Sequence, residues 1–317
     1  MAWAFSLHVF KDASATTPER FATLLGMIAA QADRVAGTTL YAQLQDNNHS
    51  ISEGAGLWTV GILFPMLAKA DVWRKKGQEI LEREAKRLIY EDGSFSQKSN
   101  NYHRLMLHDY LYAIRIGEVN GYRLEKKAVG CVRKAADFLL AMTDPISGWA
   151  PNLGGNDGAL IMPLNSCDYN DMRPVVVAVH YLFAHEKLFE QGPWHEDLYW
   201  LFGAEAIKTT SREPDVKELE ASSGGYYTLR GKESWGMLRC GSYIDRPSHA
   251  DSLHLDLWRC GRNIAIDPGS YLYYGDSPWD NSLQSTRFHN TISVDGLDQL
   301  EKGPRFIWLR WHDARLI

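Results

Sequence analysis

Apolar residues recur at three- and four-residue spacing through the first two thirds of the chain, a period that predicts one helix after another to about residue 210. Thr17-Pro18-Glu19 opens one of them, with a hydroxyl to cap it, Pro at the first helical position and an acid behind. It is expected to run to about Ala36-Gly37. Ser50-Ile51-Ser52-Glu53 has the capping-box pattern and heads the next, through Leu57, Val60, Ile62 and Leu63. Asp71 heads a third, with Trp73, Ile80, Leu81, Ala85 and Leu88 on one stripe and Glu91-Asp92-Gly93 at its end. Ser99 is the cap expected for a fourth, which reaches Gly117, and a fifth spans about Arg123 to Met142. A long loop from Gly148 to Asp171 follows, then helices near Arg173 to His185 and His195 to Thr209. Helices of this length in hairpin succession predict an α/α toroid, or a piece of one.

The pattern changes near Glu213-Pro214. Short alternating runs take over at about 225–229, 234–239, 253–258, 263–266 and 291–294, punctuated by Gly and Pro. They predict an antiparallel sheet or sandwich. Residues from Arg305 to the end still read as strand, with no turn to close it. The fold class is therefore α+β and multidomain. An incomplete helical toroid domain is expected over residues 1–212, and a truncated antiparallel β domain over 213–317.

Composition changes this picture little. The chain has 317 residues, which fits two domains, and 45% hydrophobic residues, which fill a large core. Its formal net charge of −5 excludes the basic balance of a nucleic-acid binder, while a local basic pocket for an acidic sugar stays open. Aromatics at 12% suit sugar clefts and cores alike. Cys131, Cys167, Cys240 and Cys260 fit no metal spacing; Cys131 reads as core, and Cys240 and Cys260 are near enough to strand ends to pair. No apolar run is long enough to span a membrane, and the opening Met-Ala-Trp-Ala-Phe lacks the basic and small-residue flanks of a signal peptide.

Candidate chemistry falls in two groups. His249, Asp267 and His289 stand at the heads or ends of neighbouring strand-like runs and are a reasonable trio for one divalent metal ion. Asp251, His254 and Asp256 are close alternatives, with His254 and Asp256 on one strand face. In the helical part, Asn48 and His49 sit just ahead of the helix expected at Ser50, where free N–H groups suit a carboxylate. Tyr102, near the start of the helix capped by Ser99, shares a rim with Asn48 if the two helices run parallel. His103, His108 and Glu53 also read as plain interhelical polar groups. The run Gly154-Gly155-Asn156-Asp157-Gly158 lacks the strand context of a phosphate loop and reads as turns.

The stretches N-N-H-S-I-S-E-G-A-G-L, E-D-G-S-F-S-Q-K-S-N-N-Y-H-R, S-H-A-D-S-L-H-L-D-L-W, D-P-G-S-Y-L-Y and H-N-T-I-S-V-D-G together resemble the heparinase II/III-like polysaccharide lyases. The resemblance covers about residues 40–300. It implies an α/α toroid followed by an antiparallel β domain, and β-elimination on a uronic-acid polysaccharide such as heparan sulfate or alginate. It further implies that Asn48, with His49, holds the uronate carboxyl and that Tyr102 transfers the proton. His249, Asp267 and His289 are implied as ligands of one zinc ion, more structural than catalytic, and Tyr271 as an aromatic of the cleft. Where several relatives place a further His, this chain has Pro247.

The chemistry explains these residue types. The C5 proton of a uronate is weakly acidic, and neutralising the adjacent carboxylate stabilises the enolate-like intermediate. A phenol has an ordinary pKa near 10, so it needs a cation or donor beside it to act as a base. His49 and His103 are the neighbours considered for this. His103 and Arg287 are further candidates for binding substrate, and Arg246 and Arg262 could serve sulfate or carboxylate equally. The expected partner is an acidic polysaccharide or oligosaccharide, without nucleic acid or membrane insertion; the oligomeric state is left open. By resemblance the location is periplasmic or secreted, with a cytoplasmic one as the alternative. Two rivals remain: a glycoside hydrolase using carboxylates such as Glu53, Glu91, Asp92 or Asp109, and a non-catalytic binder of acidic sugars.

Overall fold

The computed structural model describes residues 1–316. The chain divides into two compact units: residues 1–87 with 108–129, and residues 88–107 with those from 130 onward.

The first unit holds α1 (Ala2–Phe10), α2 (Pro18–Gln43), α3 (Asn48–Leu63), nearly all of α4 (Ala70–Leu88) and the second half of α5 (Asn100–Val119). Thr17 caps α2 by accepting from the Arg20 amide at 3.3 Å. That helix passes through Gly37, because burial of Ile28 and Ala32 against Leu57, Val60 and Trp73 outweighs the roughly 1 kcal/mol that a helical glycine costs. The start of α3 differs from the expectation. Its cap is Asn47, whose side chain accepts from the His49 amide at 3.0 Å, so Asn48 and His49 lie inside the first turn rather than ahead of it. Ser50 instead turns its hydroxyl back to the Asn47 carbonyl at 3.2 Å. Asn47 has the extended backbone of a cap residue, and Asn and Ser cap about equally well, so residue type alone did not choose between them.

The second unit begins with the end of α4 and the first half of α5. It continues with most of α6 (Lys126–Met142), then α7 (Arg173–Ala184), α8 (Glu196–Phe202) and α9 (Ala204–Lys208). The single helix expected from His195 to Thr209 is broken at Gly203, whose φ of 85° no helix accommodates. The short strands β1 (Lys187–Leu188) and β2 (Ser211–Arg212) pair in parallel. Then come β3 (Glu220–Ala221), β4 (Tyr226–Arg230), β5 (Ser234–Arg239), β6 (Leu255–Arg259) and β7 (Arg262–Ala265), which form a five-stranded antiparallel sheet in chain order. Its inner face carries Tyr226, Trp235, Met237 and Trp258, packed on Phe138 and Met142 of α6. Trp235 and Trp258 stack with centroids 5.5 Å apart, and the Trp235 indole donates to Asp144 Oδ2 at 3.0 Å.

The α+β class, helices first and antiparallel sheet after, is as the pattern predicts. Two details differ. Thr291–Val294 forms no strand: Gln299 Nε2 takes the Ser252 and Ile292 carbonyls at 2.9 and 3.2 Å, so side-chain bonds replace a ladder. Among the described residues from Arg305 on, only β9 (Trp308–Leu309) pairs, with β8 (Glu301–Lys302). No helix among the described residues is long and apolar enough to cross a membrane.

Candidate active site

Ser99 caps α5 by accepting from the Tyr102 amide at 3.2 Å, which fixes Tyr102 in the first turn. The Tyr102 side chain is 7% exposed, and its hydroxyl lies 3.0 Å from that of Tyr273. Burial, the contact with Tyr273 and the nearby Asp157 carboxylate hold the Tyr102 phenol well above its ordinary range. Burial likewise pushes Tyr273 up to about 12.

A strap runs past this pair. Asn100 Nδ2 donates to the Pro151 carbonyl at 2.8 Å, and Ser99 Oγ to the Gly155 carbonyl at 2.6 Å. The Gly155 amide donates to Ser248 Oγ at 3.1 Å, and Ser270 Oγ to the Gly154 carbonyl at 3.3 Å. Gly154 has a φ of 71°, and a Cβ there would stand 2.2 Å from the Lys98 carbonyl oxygen. A Cβ on Gly155 would meet the Tyr273 hydroxyl at 2.9 Å and the Tyr102 ring at 3.3 Å. The stretch read from sequence as turns thus ties the start of α5 to the loops that precede and follow the sheet strands. Beside it, the Tyr169 hydroxyl lies 2.6 Å from Asn101 Oδ1, which also accepts from Arg104 Nη2 at 2.7 Å.

Those loops carry the predicted metal trio. Nitrogen and oxygen atoms of His249, Asp267 and His289 all lie within 4.8 Å of one another, and all three side chains are buried. His249 Nδ1, Asp267 Oδ2 and both ring nitrogens of His289 have no hydrogen-bond partner. Orphaned buried donors and acceptors of this kind are rare unless something else satisfies them. Two imidazoles and a carboxylate that converge with free lone pairs fit a divalent cation of zinc type. His289 follows a 3-10 turn, Thr286–Phe288, rather than opening a strand. The alternatives have other partners. Asp256 accepts from the Trp258 indole at 2.5 Å and the Asp267 amide at 3.2 Å. Asp251 faces Arg239 Nε at 3.2 Å and the Tyr243 hydroxyl at 3.0 Å. His254 Nδ1 accepts from the Asn290 amide at 3.1 Å, and its Nε2 stands 3.6 Å from both Asp256 Oδ2 and Asp267 Oδ2 without a hydrogen bond to either.

Burial depresses His249 to about 4, against the pull of Asp267. Burial opposes charging of His289 too, but Asp267 and Asp251 outweigh it and raise that imidazole. Asp251 drops to about 2: burial works against it, and the Arg239 guanidinium prevails. Lys98 is buried between the Tyr90 and Tyr243 rings, and burial lowers it to about 8.

The remaining candidates separate. His103 is turned into the core, stacked on Phe138 at 5.1 Å, with Nε2 at 2.8 Å from the Ala135 carbonyl and its pKa lowered by burial to about 4. It is neutral and faces away from solvent, which corrects both the substrate-binding role and the role of a cation beside Tyr102. Tyr271 is 66% exposed and meets Trp279 edge-on at 5.6 Å; Tyr273, two residues on, is the one that reaches Tyr102. Arg287 is exposed, its guanidinium over the Phe288 ring. In the first unit Asn48 is buried and His49 exposed. Among the hydrolase carboxylates, Asp92 is spent on a turn, accepting from the Ser94 and Gly224 amides at 3.0 and 2.9 Å. Asp109 is fully buried and accepts from Ser52 Oγ at 2.6 Å.

Residues 2–161 match the heparinase II/III N-terminal region and residues 214–317 the heparinase II/III-like C-terminal region. The chain belongs to the heparinase II/III-like family. A heparin-sulfate lyase of Bacteroides thetaiotaomicron is 26% identical over 306 residues, 91% of this chain and 42% of that protein. One of Pedobacter heparinus is 24% identical over 307 residues, 92% of this chain and 42% of that protein. Among solved structures, heparinase III superposes with a TM-score of 0.69 at 23% identity, over 95% of this chain and 48% of the other. A heparan sulfate lyase from Pedobacter heparinus gives 0.61 at 20% identity, over 95% and 46%. At these identities the superpositions establish the heparinase fold alone. The chain spans less than half the length of the relatives it matches.

Proposed function

We propose that this chain carries the working part of a lyase that cleaves a uronate-containing polysaccharide by β-elimination and leaves a 4,5-unsaturated uronate. The observation that carries the reading is Tyr102: a buried phenol, fixed by a capped helix start and paired with a second phenol at 3.0 Å. The names of the relatives favour a heparan-like polymer over an alginate-like one.

In this reading Tyr102 removes the C5 proton and returns a proton to the departing glycosidic oxygen. Asn48 and His49 are given the uronate carboxylate on the strength of their motif, Asn-Asn-His-Ser. An amide donor suits that task because negative charge develops on the carboxylate in the transition state. Tyr271 and Arg287, both exposed, are assigned to contacts with the polymer. His249, Asp267 and His289 would hold one zinc ion. When bound it supplies a fixed double positive charge that cross-links three loops. The protein's own part is to present those lone pairs already converged. The test is formation of the unsaturated chromophore from heparan sulfate by the wild type and by Tyr102→Phe. Loss of at least about 10²-fold in the variant, with folding intact, supports the reading. Full activity in Tyr102→Phe removes it.

A further inference from the structure

Large apolar side chains left in water call for an account when several stand around one recess. In the loop after β7, Tyr271, Leu272 and Trp279 are all exposed, Trp279 by 59%, and the Tyr271 ring meets the indole edge-on. With Asn281, Ser282 and Leu283 they line a recess of about 30 Å³, room for one group the size of a methyl or a water molecule. The loop's own bonds fix its shape. The Trp279 amide donates to the Asp276 carbonyl at 2.8 Å, and the Gln284 amide to the Asn281 carbonyl at 3.4 Å. Ser282 spends its hydroxyl on the Pro278 carbonyl at 2.6 Å. Asn281 differs. It is 7% exposed, and its Oδ1 has no hydrogen-bond partner. A buried amide oxygen without a donor is costly unless a bound group supplies one.

We propose that this recess is a subsite for the N-acetyl group of a hexosamine in the polymer. The acetyl methyl enters between Tyr271, Leu272, Trp279 and Leu283. The acetamido N–H donates to Asn281 Oδ1, and the apolar face of the pyranose lies against the exposed indole of Trp279. The inference deepens the reading of the substrate as a uronate polysaccharide and rests on it for the source of the sugar. The recess selects among the nitrogen substituents that a hexosamine beside a uronate can carry. A free amine is cationic near neutral pH and an N-sulfo group is anionic, and burying either charge among two leucines and two rings is costly. A hydroxyl would satisfy Asn281 and leave the apolar walls unfilled. The acetamido group brings both an uncharged methyl for the walls and a donor for the orphaned oxygen. Such a pairing of apolar wall and single polar anchor is how small-molecule sites obtain both affinity and orientation.

The test is calorimetric binding to the full chain carrying Tyr102→Phe, with the probe checked by mass after each titration to be intact. One probe is an oligosaccharide of alternating glucuronate and N-acetylglucosamine. The other is the same oligosaccharide after de-N-acetylation and N-sulfation. The first should bind at least about tenfold more tightly, the scale of one hydrogen bond and one buried methyl. Asn281 has a φ of 60°, so Asn281→Gly keeps the backbone at ease while deleting the acceptor; it should weaken binding of the N-acetyl probe about tenfold. Trp279→Ala, at an exposed position outside the core, should weaken it by a similar factor. Equal affinity for the two probes, tighter binding of the N-sulfated one, no binding of either, or undiminished binding in either variant overturns the proposal. The lyase reading is judged separately, by the unsaturated product of the wild type. Selectivity for the N-acetyl probe without that product upholds the subsite and removes the lyase reading; the product without selectivity does the reverse.

Discussion

Single residues carry the first two predictions, one for the proposed chemistry and one for stability against pH. Asn48→Ala should weaken stabilisation of the developing carboxylate charge, costing about 3 kcal/mol in kcat/KM if it behaves as an oxyanion-hole donor does. A variant with unchanged kcat/KM would take Asn48 out of the mechanism. Asp109 gives a prediction for stability. Burial raises its pKa to about 7, against the Ser52 hydrogen bond. The folded state therefore holds this proton more tightly than the unfolded chain. The resulting stabilisation is complete below the ordinary carboxyl range near 3.8 and is lost as the pH rises through about 7. Asp109→Asn carries no such proton, so urea melts should show the wild type losing on the order of 2 kcal/mol relative to the variant between pH 5 and 8. Parallel stability curves would show that Asp109 ionises without penalty. At this scale the sequence was legible where residue type limits the options. His249, Asp267 and His289, singled out by residue type and by their places at the ends of strand-like runs, bring ligand atoms within 4.8 Å of one another. Tyr273 was not legible: Tyr271 and Tyr273 alternate onto the same face of an extended run, and nothing local chooses between them. His103 was misread because an imidazole beside a tyrosine in sequence is a quarter-turn away on a helix.

At the scale of elements, caps and periodicity located the helices, and failures came where side chains replaced backbone pairing. Asn47 displaced Ser50 as the cap of α3, and Gln299 took the carbonyls that a strand at Thr291–Val294 would have used. Close helix packing was equally invisible. On Gly77 of α4 a Cβ would stand 2.5 Å from the Trp58 amide nitrogen and 2.7 Å from the Gly54 carbonyl of α3. Gly61 of α3 answers it, with a Cβ 2.5 Å from the Ala70 carbonyl oxygen. Backbone cannot yield as a flexible side chain does, so Gly77→Ala should cost about 1–3 kcal/mol in thermal or urea unfolding despite the better helix propensity of alanine. A stabilised Gly77→Ala would mean that α3 and α4 can separate freely.

For the whole molecule, residues 2–161 and 214–317 match the two regions of one family, and the reaction proposed for it is elimination from a uronate. The metal trio belongs to this scale, since His249, Asp267 and His289 come from three separate loops. Elemental analysis should find about one zinc per chain, falling to none in His249→Ala/His289→Ala. Zinc retained at the same level would place it elsewhere. The central claim itself is tested most directly by comparing heparan sulfate with the same polymer after its carboxyl groups are reduced to alcohols. The account predicts an ultraviolet-absorbing unsaturated product from the first and none from the second, because only a carboxylate acidifies the C5 proton. New reducing ends without the chromophore, or equal cleavage of both polymers, would contradict it.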